Sequence, residues 1–137
     1  MAQVGIVVVS HSRALADAAV ELARQMLPGR DVSIAVAAGT DDGGLGTDAT
    51  AVAGAVAEAD RGDGVVVLMD LGSAVMSAET ALEFLDDDVR ERVLLSAAPL
   101  VEGLVGAVVV AAAGMGREQV AAEAARGLAP KEAHLSS

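Results

Sequence analysis

Four apolar runs punctuate the sequence: Val4–Val9, Val32–Ala37, Val65–Met69 and Val93–Ala97. Each is rich in Val, Ile or Leu and lacks polar alternation, as expected for parallel strands covered on both faces. Helical patterns separate them. The first places Leu15, Ala18, Leu22 and Met26 on one stripe, with Asp17, Glu21 and Arg24 elsewhere, and Pro28-Gly29 ends it. The second is expected from about Thr47 to Ala59, with Val52, Val56 and Ala59 inward. The third starts near Ser73 and carries Val75, Ala78, Leu82 and Leu85 inward. Asp86–Asp88 marks its end, although three acids suit a helix C-terminus poorly. Pro99 fits the first turn of a fourth helix, and Gly114 and Gly116 break the chain after it. A fifth helix, with Val120, Ala124 and Leu128 as its stripe, fades at Gly127 and Pro130. Residues 131–137 read as a frayed tail after one domain spanning 1–130.

The order βαβαβαβα plus a terminal helix predicts an α/β fold: a doubly wound, parallel four-stranded sheet with helices on both faces. In such folds ligands sit at the C-terminal ends of the strands, near the switch point. The chemistry is therefore sought in the strand-to-helix loops.

The first loop is Ser10-His11-Ser12-Arg13, the second runs from Ala38 to Thr47, and the third is Asp70-Leu71-Gly72-Ser73. If the first strand is central, these three converge. His11 is the leading candidate. It sits at a strand end just before a helix N-terminus, whose free N–H groups attract anions. An imidazole there can take a phosphoryl group on one nitrogen while the other is held by a hydrogen bond. The plainer alternative is a polar loop histidine without a role. Asp70 ends the third strand. It either fixes the His11 tautomer, as in catalytic triads, or simply caps the next helix. Ser73 reads first as an N-cap, and its hydroxyl could also contact a phosphoryl oxygen, as could Thr40. Glycines 39, 43, 44 and 46 allow amides to approach an anion. No Gly-Lys-Ser/Thr follows them, so they form no P-loop. His134 lacks obvious partners for a metal, and Glu79 and Glu102 read as solvated helix residues.

Composition removes other chemistries. The chain has 137 residues, 53% hydrophobic, with Phe84 its one aromatic residue and no cysteine. Stacking platforms, thiolate catalysis and zinc–thiolate sites are excluded. With 9 basic and 20 acidic residues the net charge is −11, which repels nucleic acid and anionic lipid. The opening residues carry no basic leader, and the uncharged stretch between Glu102 and Arg117 is 14 residues with four glycines, too short for a bilayer. A cytoplasmic protein with no membrane or nucleic-acid partner is expected. The Val-rich fourth helix, with Val105, Val108, Val109 and Val110 around its circumference, is expected to contribute to a homodimer.

The segments VGIVVVSHS, AGTDDGGLGT, VVLMDLGSAVMSAE and SAAPLVEG resemble the mannose-type IIA family of the phosphoenolpyruvate:sugar phosphotransferase system (PTS). Within it, the resemblance is to the phosphotransferase subunits of PTS-dependent dihydroxyacetone kinases. It covers Val4 to about Leu128, and DLGSA is its most specific run. The resemblance implies a phosphotransferase component of glycerol and dihydroxyacetone metabolism. It accepts a phosphoryl group from the phosphocarrier HPr on His11 and passes it to ADP on the kinase's nucleotide-binding subunit. The ATP so formed serves the dihydroxyacetone-binding subunit. It implies Asp70 as the residue orienting His11. Phosphate contacts are expected from Ser12, Arg13, Gly39, Thr40 and Ser73, without metal or cofactor. It also implies a single-domain form that needs a separate HPr, and a dimer. Ala38 beside Gly39 and Asp48 at the second helix start depart from the family pattern, and both bear on loop conformation only. A second resemblance, of strand-Ser-His-Ser to small tetrapyrrole metal chelatases, would make His11 a metal ligand with Glu102 opposite, but leaves DLGSA unexplained. A receiver-type interaction domain would need an acidic cluster at the first strand end and a lysine after a later strand. The only lysine is Lys131.

Overall fold

A computed structural model describes residues 1–27, 29 and 31–137. Four parallel strands, β1 (Gly5–Ser10), β2 (Ile34–Ala38), β3 (Val65–Met69) and β4 (Val93–Ser96), form one sheet in the order β2-β1-β3-β4. Strand β1 is interior and pairs with both β2 and β3 (Val9 opposite Ala37 and Met69). Because β2 lies on one side of β1 and β3 on the other, the switch point falls between the ends of β1 and β3. His11 follows the first of these strands and Asp70 the second.

Both faces are covered. Ile6, Val8, Val66 and Leu68 pack with residues of α1 (Arg13–Gln25), α5 (Leu100–Ala112) and α6 (Arg117–Ala125). Val7, Val9, Val65 and Val67 pack on the other face with residues of α2 (Ala49–Ala59) and α3 (Gly72–Leu82). This alternation along β1 and β3 is the period-two geometry of a strand, and it explains why both runs are apolar throughout.

The helix stripes differ from the sequence expectation in an instructive way. In α1 the buried residues are Ala16, Ala19 and Ala23, while Leu15 and Leu22 are 44% and 46% exposed and Met26 is 57% exposed. Small side chains face the sheet because the helix lies close to it, and the bulky stripe is turned outward. In α3 Ala74, Ala78 and Ala81 are buried, Leu82 is half-buried and Val75 is exposed. Pro28 lies outside the described residues. Gly29 after it has φ 80°, a left-handed conformation that suits glycine.

Asp86–Asp88 do not close α3, which ends at Leu82. Asp86 is the N-cap residue of a short additional helix, α4 (Asp87–Arg90), so the acids lie at the favourable end of a helix dipole. Asp48 is the N-cap of α2, its side chain accepting from the Thr50 amide at 2.9 Å. The segment after Leu128 forms α7 (Ala129–Ser136), which buries none of its residues. Lys131 of α7 pairs with Glu102 of α5. No helix among the described residues is long and apolar enough to cross a membrane.

Candidate functional site: a histidine held at the switch point

The site is built by two strand ends and the two helix starts that follow them. Asp70 continues β3, its amide donating to the Val9 carbonyl at 3.1 Å. That bond sets its side chain beside the end of β1. The carboxylate then accepts four hydrogen bonds. Oδ2 receives the Ser10 hydroxyl and the His11 amide, each at 2.9 Å. Oδ1 receives the Leu71 amide at 2.6 Å and faces His11 Nδ1 at 2.8 Å. Burial pushes the Asp70 carboxyl up, but the bonds from the His11 amide, the His11 ring, the Ser10 hydroxyl and the Leu71 amide outweigh it. The net result lies below the usual carboxylate range. Asp70 is therefore an acceptor, and Nδ1 of His11 must carry the proton between them.

That assignment fixes the tautomer. In the neutral ring Nε2 holds the lone pair. Nε2 meets the hydroxyl of Ser73, which donates to it. Ser73 is not the helix cap: Leu71 is the N-cap residue of α3 and uses no side chain for it. Ser73 stands one residue inside the first turn, with its hydroxyl free for His11. The imidazole is 25% exposed and the Asp70 side chain 10%. One nitrogen is thus anchored inside while the other faces out.

The remaining expected contacts are arranged differently. Ser12 is the N-cap of α1, its hydroxyl accepting from the Leu15 amide at 3.2 Å. Arg13 lies exposed at the rim, with its guanidinium 3.8 Å from Asp17. Gly39 has φ 73° and gives its amide to the Ser10 carbonyl at 3.2 Å. The Thr40 hydroxyl donates to Asp42 and accepts from the Gly44 amide, within its own loop. Ser73 is thus the expected contact that meets the imidazole directly. Glu102, the second ligand required by the metal-chelatase reading, is engaged by Lys131.

Two contributors were not legible as site residues in the sequence. Ser10 is fully buried and links Asp70 to the first loop, its oxygen also accepting from the Ser12 amide at 3.1 Å. A hydroxyl closing an otherwise apolar strand is the signal that could have found it, since a buried hydroxyl needs a partner. Thr47 closes the second loop onto α3 through Ser77 Oγ at 2.6 Å and the Ser73 carbonyl at 3.3 Å. The Gly46 amide reaches the His11 carbonyl at 2.9 Å. The three loops are therefore joined around the imidazole.

The EIIA-man family model, described as PTS system fructose IIA component, matches residues 5–121. The chain belongs to this family. The PEP-dependent dihydroxyacetone kinase phosphoryl donor subunit DhaM of Pantoea ananatis is 49% identical over 134 residues, covering 96% of this chain and 28% of that protein. DhaM of Escherichia coli K12 is 46% identical with the same coverage. The chain thus spans 28% of the length of these two relatives. The phosphoryl donor subunit DhaM of a second such kinase in Listeria innocua is 38% identical over 120 residues, 88% of this chain and 95% of the relative. The crystal structure of unknown function protein EF1359 superposes with a TM-score of 0.82 at 35% identity, over 90% of this chain and 94% of that one. This EIIA-man chain shares its fold with that structure, and the candidate site lies at the switch point of its four-stranded sheet.

Proposed function

We propose that this EIIA-man chain is a phosphohistidine carrier whose Nε2 of His11 receives a phosphoryl group from phospho-HPr. It delivers that group to ADP on the nucleotide-binding subunit of a dihydroxyacetone kinase. The observation that carries this reading is the clamped imidazole: Asp70 on Nδ1, and an exposed serine hydroxyl on the nitrogen that faces outward.

The transfer is an exchange of one N–P bond for another. The lone pair of Nε2 attacks phosphorus in line as the donor's N–P bond breaks. The Nδ1 proton stays in place, so the ring gains positive charge beside the Asp70 carboxylate, which compensates it. Ser73 turns its hydroxyl from Nε2 to a phosphoryl oxygen. The amides of Gly72 and Ser73, in the first turn of α3, are candidate donors to the remaining oxygens. Phosphoryl transfer needs little beyond positioning and charge stabilisation, and the reverse arrangement serves delivery to ADP.

Leu15, Leu45, Leu71 and Met76, all exposed, lie on the three loops or helix starts that build the site. A rim of this kind suits a protein donor, while the −11 charge favours one with basic residues around its own histidine. The partners are then HPr and the nucleotide-binding and dihydroxyacetone-binding subunits of the kinase, in the cytoplasm, with the chain acting as a homodimer. Reconstitution with phosphoenolpyruvate, enzyme I and HPr tests the reading. Acid-labile, alkali-stable phosphate is expected on wild-type chain, and none on the His11→Ala variant.

A further inference from the structure

The geometry points to a second chemistry at the same residues: Ser73 is a nucleophile activated by His11 and Asp70, able to attack small activated esters and fluorophosphonates. This inference does not depend on the phosphocarrier reading. It rests on the unbroken line Ser73 Oγ, His11 Nε2, His11 Nδ1, Asp70 Oδ1. A hydroxyl on the base and a carboxylate on the far nitrogen are the relations that define a Ser-His-Asp triad, whatever the chain order.

The tautomer deduced above is the one the triad needs. Nδ1–H is held by Asp70, and Nε2 is free to take the serine proton. The carboxylate stays ionised, because the hydrogen bonds it receives from the Ser10 hydroxyl and two backbone amides favour its charged form. Donors for an oxyanion stand next to the nucleophile. The Gly72 and Ser73 amides lie in the first turn of α3 and give no hydrogen bond to any acceptor among the described residues. Ser73 itself is exposed, so a small substrate can reach it.

For an ester, Ser73 Oγ attacks the carbonyl carbon and its proton passes to His11 Nε2. Collapse of the tetrahedral oxyanion expels the alcohol, which takes that proton. Water, deprotonated by the same nitrogen, then attacks the acyl carbon; the C–Oγ bond breaks, Ser73 Oγ takes the proton back from Nε2, and the carboxylic acid departs. For a fluorophosphonate the Oγ–P bond forms as P–F breaks, the hydroxyl proton passes to His11 Nε2 and on to solvent, fluoride leaves, and the adduct persists. Nε2 serves as base here and as phosphoryl acceptor above, so phosphate on His11 and a reactive Ser73 exclude each other. The exposure of Ser73 favours short acyl groups with good leaving groups as substrates.

The full chain is incubated with a fluorophosphonate probe, and separately with p-nitrophenyl acetate. One phosphonate per chain is expected, mapped to Ser73 by mass spectrometry. Ser73→Ala and His11→Gln should each lower labelling by at least about tenfold, with circular dichroism unchanged. Ester hydrolysis should fall with Ser73→Ala by a similar factor. The inference is overturned by no labelling, by adduct on another residue, or by ester hydrolysis undiminished in Ser73→Ala. That last result would assign the reaction to the imidazole alone. None of these readouts involves phosphate, so their failure leaves the carrier function to be judged separately.

Discussion

Replacing Asp70 by Asn removes one acceptor from a carboxylate that uses both oxygens fully. If the amide oxygen takes the Oδ2 place, it keeps the Ser10 hydroxyl and the His11 amide. The NH2 then faces the Leu71 N–H, and it donates to Nδ1, which moves the ring proton to Nε2 and extinguishes the nucleophile. If the oxygen takes the Oδ1 place, the tautomer survives, but the NH2 meets the His11 N–H and the Ser10 hydroxyl loses its acceptor. Each orientation leaves one backbone N–H unpaired. The loss of one charge-assisted bond, about 1.5–3 kcal/mol, sets the scale. In the tautomer balance that corresponds to a slowing of phosphorylation by HPr of roughly 10²-fold. In stability it is about 2 kcal/mol, because the site is partly solvated, or a Tm lower by about 8 °C. Asp70 is held below the usual carboxylate range when folded. Its contribution is therefore full above its ordinary value of 3.8 and is lost as pH falls below it. The Tm difference between wild type and Asp70→Asn should accordingly shrink in acid. Rapid-quench phosphorylation, thermal unfolding at several pH values and 15N shifts of the imidazole measure the three effects. A variant phosphorylated at the wild-type rate, with Nδ1 still protonated, would remove Asp70 from the mechanism.

Three further outcomes follow from the same structure. Asp60, after α2, binds the Arg92 guanidinium at 2.7 Å, which holds its carboxyl below the ordinary range; burial opposes this. Asp60→Asn should lower Tm by a few degrees near neutrality and by less as pH falls below the ordinary carboxylate value, as followed by calorimetry; a constant difference across pH would contradict the pairing. A Cβ added at Gly5 would lie 2.2 Å from the Ala59 carbonyl oxygen, so Gly5→Ala should cost about 3 kcal/mol by urea unfolding, and an unchanged midpoint would show that β1 and α2 can separate freely. Association with HPr should slow as salt rises, because the chain carries −11; stopped-flow rates independent of ionic strength would refute electrostatic steering.

The sheet was legible because its strands are short apolar runs bounded by polar loops. The convergence of Ser10–Arg13, the glycine-rich segment and Asp70–Ser73 is conditional on β1 being central, and the strand order β2-β1-β3-β4 meets that condition. The helix faces were less so. A stripe of Leu15, Leu22 and Met26 outweighs alanines on any hydropathy scale, yet space beside the sheet is set by volume, and Ala16, Ala19 and Ala23 fill it. The acids at 86–88 were hard to place because a four-residue helix, α4, leaves almost no periodicity. In the site, His11 and Asp70 announced themselves by lying at strand ends. Ser73 reads first as a cap and only second as a phosphate contact, and the position of Leu71 as N-cap residue overturns the first of these. Ser10 and Thr47 act through partners 60 and 26 residues away, a relation that sequence spacing does not carry.

The central claim is tested most directly by mapping the phosphate itself. The chain is phosphorylated with phosphoenolpyruvate, enzyme I and HPr, kept alkaline, and examined by 31P and 15N NMR and by peptide mass spectrometry. The expected result is one phosphoryl group per chain, on Nε2 of His11, lost on acidification and discharged when ADP and the nucleotide-binding subunit are added. Phosphate on any other residue, on Nδ1, or retained in His11→Ala would contradict the account.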